Sequence, residues 1–252
     1  MLLFCGAFGA GVHAFAQAPR EEKSASSRAF PSPAEMAAYQ GDTEEVLRLL
    51  NAGFDVNHKG EDGLTLLIYA VEGKHPSLVK LLLAKGADPN AANSGAVASA
   101  AMQGRIDMLR TLLAAGGMVN VHVGAMSDTP LMFACQARSL SCVKLLLEKG
   151  ADVNGRNALG RTPIMAAGRA ISQILIEHGA DINAKDRQGI TTLMFVTMLG
   201  DVGGVSFLLK EGADPTLADW KGWTAEDYAI QARSEEIVKL LQEAVARWNG
   251  KK

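Results

Sequence analysis

The sequence predicts an all-α solenoid of about seven helix-turn-helix units, joined by short β-turn fingers. An apolar run followed by a glycine and then by Asp or Asn recurs along the 252 residues. A second phrase, rich in Thr and small apolar residues, precedes most of these runs. The recurring glycines, spaced by 33, 30, 34, 29 and 33 residues, are Gly53, Gly86, Gly116, Gly150, Gly179 and Gly212.

The second phrase marks the start of the first helix of each unit. Threonine is a favoured N-cap residue, and a proline after it fits the first helical turn. The glycine that follows the apolar run ends the second helix, because a positive φ costs glycine little. The phrase is Thr-Pro-Leu-Met-Phe-Ala at 129–134 and Thr-Pro-Ile-Met-Ala-Ala at 162–167, with related copies at 65–70, 191–196 and 224–229.

These two phrases resemble the ankyrin repeat. Its Thr-Pro-Leu-His-x-Ala motif is similar to residues 129–134, and its period of about 33 residues matches the glycine spacing. The resemblance covers residues 34–246 and implies an ankyrin-repeat solenoid at 34–248. It also implies a protein partner, bound through the finger tips and the concave face of the first helices.

Some repeats depart from the ankyrin pattern. The motif histidine is replaced by apolar residues, and the third repeat has Gly-Ala-Val-Ala-Ser-Ala at 95–100 with a short finger. The fifth repeat is short near 168–171, and two glycines in the sixth each lower helix propensity by about 1 kcal/mol. We expect local irregularity there within an intact fold. The residues concerned are Ile68, Met132, Met165 and Met194 at the histidine position, and Gly203 and Gly204 in the sixth repeat.

Residues 1–16 have the pattern of a signal peptide. They contain no Asp, Glu, Lys or Arg, and Ala14-Phe15-Ala16 provides the small-x-small site of signal peptidase. We predict cleavage after Ala16, a flexible linker at 17–33, and a periplasmic or secreted protein. The apolar run is shorter than the roughly 20 residues of a stable membrane span. Because no Lys or Arg precedes the run, a cytoplasmic protein with an apolar N-terminus is the alternative.

Catalytic and cofactor-binding motifs are absent from the sequence. It lacks the phosphate-binding P-loop, the His-Glu-x-x-His zinc motif and the Gly-x-Ser-x-Gly nucleophile motif. The 25 basic and 27 acidic residues give a net charge of -2, which does not favour nucleic acid as a partner. We therefore expect a monomeric protein that is not an enzyme and needs no metal or cofactor.

Two cysteines form a candidate disulfide. Cys135 ends the first-helix phrase of the fourth repeat, and Cys142 opens the apolar run of its second helix. Both positions face the seam between the two helices, where the β-carbons could approach as closely as a disulfide requires. Export would place them in an oxidising compartment. The alternative is that both are buried thiols used in packing.

Ankyrin geometry, carried over by the resemblance, identifies candidate binding residues on the concave face. Each repeat contributes two such positions: the residue immediately before the motif alanine, and the residue three positions after that one. Aromatic and methionine side chains there match the composition of protein interfaces. Alternatively, these side chains pack against the neighbouring repeat, and Trp220 packs against Trp223. The candidates are Tyr69, Phe133, Phe195, Met102 and Met198, with Trp220 at a finger tip.

The chain is similar to exported bacterial ankyrin repeat proteins of the periplasm, some of which support a catalase and resistance to oxidative stress. This resemblance implies a periplasmic binding or accessory protein. The alternatives are an immunity protein that neutralises a toxin by covering it, and a secreted effector. A neighbouring catalase gene would favour the first role, and a neighbouring gene for a secreted toxin would favour immunity.

Overall fold

A computed structural model describes residues 32–250. The predicted signal peptide with its cleavage site after Ala16, and all but the last two residues of the predicted linker, lie outside the described residues. Within 32–250 the chain forms thirteen α-helices and one 3₁₀ helix, arranged as seven consecutive helix pairs. The predicted all-α class and the number of units are therefore confirmed.

The helix pairs are numbered here as repeats 1–7 in chain order. The first helices are α1 (Pro33–Gln40), α3 (Leu66–Glu72), α5 (Ala91–Met102), α7 (Pro130–Gln136), the 3₁₀ helix (Pro163–Ala166), α10 (Thr192–Met198) and α12 (Ala225–Gln231). The second helices are α2 (Thr43–Asn51), α4 (Pro76–Ala84), α6 (Ile106–Ala114), α8 (Leu140–Glu148), α9 (Arg169–Glu177), α11 (Val202–Lys210) and α13 (Glu235–Asn249).

The chain divides into two compact units. Unit 1 ends at Ala151 and contains repeats 1–4, and unit 2 begins at Asp152 and contains repeats 5–7. In unit 1 the first helices α1, α3, α5 and α7 pack in sequence order, and so do the second helices α4, α6 and α8. In unit 2 the 3₁₀ helix, α10 and α12 pack in order, and α11 packs on α13. Each unit is thus a short solenoid of stacked pairs.

Threonine side chains cap the first helices of repeats 4, 6 and 7, as the sequence predicts. The hydroxyls of Thr129, Thr191 and Thr224 each accept a hydrogen bond from the backbone N–H three residues later. Thr65 and Thr162 occupy the same position, but their side chains make no capping bond. Capping bonds satisfy helix N–H groups that are otherwise unpaired. The first helices of repeats 2 and 5 therefore lack this stabilisation at their N-termini.

The glycines after the second helices adopt the predicted left-handed conformation. Gly150, for example, has φ of 82°, and no other atom lies within 4 Å of the position that a β-carbon would take. Its N–H donates to the Leu147 carbonyl, which closes the last turn of α8. The chain then leaves the helix toward the next finger, so the recurring glycine sets where each repeat ends.

Apolar side chains occupy the position of the motif histidine. Ile68, Met132, Met165 and Met194 are all buried. In repeat 3 the residue at the motif threonine position is Gly95, and a β-carbon there would lie 2.9 Å from Ile68 Cδ1. The absence of a side chain at Gly95 therefore lets α5 approach α3 closely.

Repeat 5, which is shorter in sequence, is irregular as expected. The second helix of repeat 6, which contains two glycines, is regular. Repeat 5 has a four-residue 3₁₀ helix in place of an α-helix. In repeat 6, α11 is an uninterrupted nine-residue helix. A β-carbon at Gly203 would lie 2.9 Å from the Arg169 guanidinium, and one at Gly204 would lie 2.6 Å from Val196 Cγ1. Close packing within unit 2 therefore explains Gly204, whereas the neighbour of Gly203 is only the flexible end of the exposed Arg169 side chain.

The recurring asparagines bind neighbouring repeats together, which the sequence analysis did not predict. In unit 1 the Asn57 amide donates to the Gly86 carbonyl at 3.1 Å, and its oxygen accepts from the Asp88 N–H at 2.7 Å. In unit 2, Asn154 makes the same two bonds to Gly179 and Asp181, at 3.0 and 2.8 Å. Each asparagine thus ties the end of its own repeat to the end of the next.

We expect Asn57→Ala to lower the free energy of unfolding by about 1–2 kcal/mol, because it removes two hydrogen bonds between repeats 1 and 2. Urea denaturation followed by circular dichroism measures the change. Asn51→Ala, on the exposed end of α2, is the matched control and is expected to change stability by less than about 0.5 kcal/mol. Equal stabilities of the two variants would show that the bridging bonds contribute nothing.

Candidate protein-binding surface

The C-terminal end of α10 exposes apolar side chains in unit 2. Met198 is 41% exposed, and Leu199, directly after the helix, is 64% exposed. Phe195, one turn earlier, is half-buried, while Thr197 between them is fully buried. We call Phe195, Met198 and Leu199 the α10 surface. Of the predicted binding residues, Phe195 and Met198 therefore lie together.

The candidates in unit 1 are less accessible. Tyr69 is only 7% exposed, and its hydroxyl donates a hydrogen bond to Asp62 in the preceding finger. Burial, together with that bond, raises the pKa of the phenol above its ordinary value. Phe133 and Met102 are half-buried. The structure therefore buries most of Tyr69, and its hydroxyl links the finger to α3.

A carboxylate beside Tyr69 has an unusual environment. Glu72 lies one helical turn after Tyr69 in α3 and is only partly exposed. Burial, with a smaller contribution from the negative charge of Asp62, raises its pKa to about 7. Burial disfavours the ionised carboxylate, so in the folded chain Glu72 stays protonated to a higher pH than an exposed carboxyl does.

This environment predicts a pH dependence of stability. A raised carboxyl pKa means that the stability from Glu72 is present in full below its ordinary pKa of 4.5 and is lost as pH rises through about 7. Relative to Glu72→Gln, the wild-type chain should lose on the order of 1 kcal/mol of unfolding free energy between about pH 5 and pH 8, after discounting for solvent screening. Urea titrations at several pH values measure the difference.

Glu148→Gln, on the exposed side of α8, is the matched control for this measurement. Parallel pH profiles of the wild-type chain and Glu72→Gln would contradict the assignment of the raised pKa to Glu72.

The finger of repeat 7 presents Trp220 to solvent. Trp220 is 73% exposed, the largest exposure among the large hydrophobic side chains of residues 32–250. The predicted alternative was packing of Trp220 against Trp223. Trp223 instead packs edge-on against Tyr228, with ring centroids 5.3 Å apart. The exposed indole is therefore held at the tip while the second tryptophan supports the base of the finger.

Asp219 organises this finger from inside. Its Oδ1 accepts the N–H groups of Lys221 and Trp223, at 2.8 and 2.9 Å, and its Oδ2 accepts the Tyr228 hydroxyl at 2.6 Å. Burial acts to raise the pKa of Asp219, but these hydrogen bonds outweigh it and hold the pKa below its ordinary value. Burial and the bond to the ionised Asp219 raise the pKa of Tyr228 to about 12. The finger is thus a preorganised hydrogen-bonded turn.

The candidate disulfide residues lie on two packed helices. Cys135 in α7 and Cys142 in α8 are both fully buried and are free thiols in this structure. Burial raises the pKa of Cys135 to about 12, and burial also raises that of Cys142. Because the thiolate is the reactive form, burial of both side chains disfavours oxidation of the folded protein.

We predict that protein matured in an oxidising compartment has no free thiol, because Cys135 and Cys142 pair during folding and Cys5 leaves with the signal peptide. Thiol labelling in denaturant without reductant, followed by mass spectrometry, tests this. The same protein treated with reductant is the control and should take up two labels. Two labels without reductant would refute the disulfide.

The described residues hold no group of three His, Cys, Asp or Glu side chains arranged to bind a metal ion. Across residues 32–250, no helix has the length and apolar character needed to cross a bilayer. What the described surface presents is a set of apolar and aromatic side chains on stacked helix pairs and rigid fingers. Fold and surface together define a helical-repeat protein of the kind that binds other proteins.

The chain belongs to the ankyrin repeat family. A family model for ankyrin repeats in three copies matches residues 34–123, 100–186 and 168–251. The ankyrin repeat protein YahD of Escherichia coli (strain K12) is 30% identical over 223 residues, which cover 84% of this chain and 95% of that protein. The crystal structure of the ankyrin repeat domain of Bcl-3 is 29% identical with a TM-score of 0.71, and covers 84% of this chain and 98% of that domain.

Other similar proteins are much longer than this chain. The ankyrin repeat and KH domain-containing protein mask-1 of Caenorhabditis elegans is 35% identical over 139 residues, which are 53% of this chain but 5% of that protein. The mitochondrial disaggregase of Bos taurus is 32% identical over 158 residues, 61% of this chain and 22% of that protein. The likeness to these proteins covers only a part of each.

Proposed function

We propose that this chain is an exported accessory protein that binds a partner protein in the periplasm. Ankyrin repeats are a protein-protein interaction module. The observation that supports a binding role for this particular chain is the α10 surface. Met198, the last residue of α10, and Leu199, directly after the helix, are exposed, while the adjacent Thr197 is fully buried. Exposed apolar side chains on a rigid element are typical of interaction sites.

Support for a stress-related role comes from the resemblance to periplasmic ankyrin proteins that assist a catalase. Under this proposal, the partner is an enzyme of oxidative-stress defence, which the chain stabilises by binding. Immunity against a toxin would use the same surface, because covering a toxin also requires a rigid apolar face.

Affinity capture from a periplasmic extract tests the proposal. The bait is the full chain, compared with a double variant, Met198→Glu with Leu199→Glu. We expect the wild-type chain to capture a defined partner and the double variant to capture at least about tenfold less, because buried charge at an interface centre is strongly unfavourable. Met118→Glu, at an exposed methionine of unit 1, is the matched control.

Identification of the captured protein separates the two roles. A catalase or another stress enzyme supports the accessory role, whereas a toxin supports immunity. Capture that is unchanged in the double variant, with folding intact, would contradict the α10 surface. An uncleaved N-terminus on protein recovered from cells, rather than one beginning at Gln17, would contradict export.

A further inference from the structure

The three fingers of unit 2 are built on one hydrogen-bond pattern. The second residue of each finger is Asn157, Asp186 or Asp219. In each case the side-chain Oδ1 accepts two backbone N–H groups of the same turn, at distances between 2.8 and 3.0 Å. The backbone of every finger is therefore held by its own side chain rather than by solvent.

The three fingers are also bonded to one another. The Arg187 N–H donates to the Leu159 carbonyl at 2.9 Å, and the Trp220 N–H donates to the Gln188 carbonyl at 3.1 Å. A glycine permits the second of these approaches: a β-carbon at Gly189, where φ is 80°, would lie 2.9 Å from the Trp220 nitrogen. We call residues 156–160, 185–189 and 218–222 the finger ridge.

Charges on the finger ridge are segregated. Both carboxylates are turned inward: Asp186 forms an ion pair with Arg161 at 3.6 Å, and Asp219 is buried beneath the tip of its finger. No carboxylate of the ridge is exposed, whereas four cations are. The exposed cations are Arg156, Lys185, Arg187 and Lys221.

Two of these cations also connect the fingers. The Arg156 guanidinium donates to the Lys185 carbonyl at 2.7 Å, and the Lys185 ammonium donates to the Ala218 carbonyl at 2.8 Å. Arg187 and Lys221 lie on the two fingers nearest Trp220. The outer side of the ridge is therefore positive and rigid, with an exposed indole at one end.

We propose that the finger ridge binds an acidic segment of the partner protein, with an apolar side chain of that segment resting on Trp220. This inference rests on the proposed protein-binding function and adds the chemistry of the partner. Arg187 and Lys221 pair with carboxylates of the segment on either side of its apolar residue, and the Trp220 indole covers that apolar side chain. Because the ridge is held by hydrogen bonds before binding, little ordering entropy is lost on association.

The surroundings favour an acidic polypeptide over a nucleic acid. The chain as a whole carries a net charge of -2, so the four exposed cations of the ridge form a local positive patch on a slightly acidic protein. Binding to nucleic acid draws its affinity from many phosphate contacts. Four cations beside an exposed tryptophan match a short stretch of carboxylates flanking an apolar side chain.

A library of random short peptides, selected on the immobilised full chain, tests this proposal. We expect enrichment of peptides in which Asp and Glu flank an apolar residue. The charge reversal of Arg187→Glu with Lys221→Glu should weaken binding of an enriched peptide at least about tenfold, since close charge pairs contribute more than 1 kcal/mol each. Trp220→Ala should weaken it to a similar degree.

The matched control is Lys80→Glu with Lys144→Glu, which makes the same change in net charge on exposed second helices of unit 1. This pair should change the affinity less than about twofold. Circular dichroism of every variant verifies that the fold is intact.

Several results would overturn the inference. They are the absence of enriched peptides, enrichment without acidic residues, and affinity that survives the charge reversal of the ridge. Tighter binding of single-stranded oligothymidine than of any enriched peptide, lost in the same charge reversal, would replace it with nucleic-acid binding. If capture of a partner depends on the α10 surface but not on the ridge, the proposed function stands and only this inference is overturned.

Discussion

Leu112→Ala is expected to lower the free energy of unfolding by about 2–5 kcal/mol, because it leaves a cavity between stacked repeats. Leu112 lies in α6 with 0% of its side chain exposed, among the second helices of unit 1. Each repeat is stabilised largely by its neighbours, so a cavity there weakens more than one interface. Thermal and urea denaturation, monitored by circular dichroism, measure the loss.

Leu199→Ala is the control for this substitution, since it removes the same atoms from an exposed site. Its unfolding free energy should change by less than about 0.5 kcal/mol. The two leucines therefore separate stability from binding: Leu199→Ala should keep the fold and weaken partner capture. A loss of stability in Leu199→Ala comparable to that in Leu112→Ala would show that Leu199 is part of the core.

Gly73→Ala is expected to destabilise the chain by about 1–3 kcal/mol, the range observed for overpacked sites. A β-carbon at Gly73 would overlap the Tyr39 carbonyl oxygen and the imidazole of His75. The His75 Nε2 donates to that same carbonyl at 2.9 Å, so the added methyl group also disrupts a hydrogen bond between repeats 1 and 2. The backbone cannot rotate away, and α1 must move relative to α3.

Gly168→Ala is the matched control. Gly168 has φ of -80° and no atom within 4 Å of the position of an added β-carbon. Its substitution should change the unfolding free energy by less than about 0.5 kcal/mol. If Gly73→Ala melts at the same temperature as Gly168→Ala, the close contact between α1 and α3 is absent in solution.

Much of the local structure follows from short sequence patterns. The Thr-Pro phrase predicts where α7 begins, and Gly150 predicts where α8 ends, because capping and positive φ act on neighbouring residues alone. The spacing of the glycines likewise predicts seven units. These features need no knowledge of distant parts of the chain.

The candidate binding surface is less predictable from the sequence. The ankyrin register selects Phe195 and Met198, which lie together on one helix, but it also selects Tyr69, which is buried and bonded to Asp62. It does not select the exposed Leu199, which lies one residue beyond the repeating positions. Exposure depends on the neighbouring repeat, and that neighbour differs at each step along the stack.

The sequence by itself determined the class of fold, the number of repeats and the residues that start and end most helices, since each depends on local capping, backbone conformation and helical periodicity. Only the tertiary structure decided which asparagine joins which glycine and which charges of the finger ridge face outward. Those properties depend on contacts between residues some 25–35 positions apart, where the packing of one repeat on the next sets each side chain's partner.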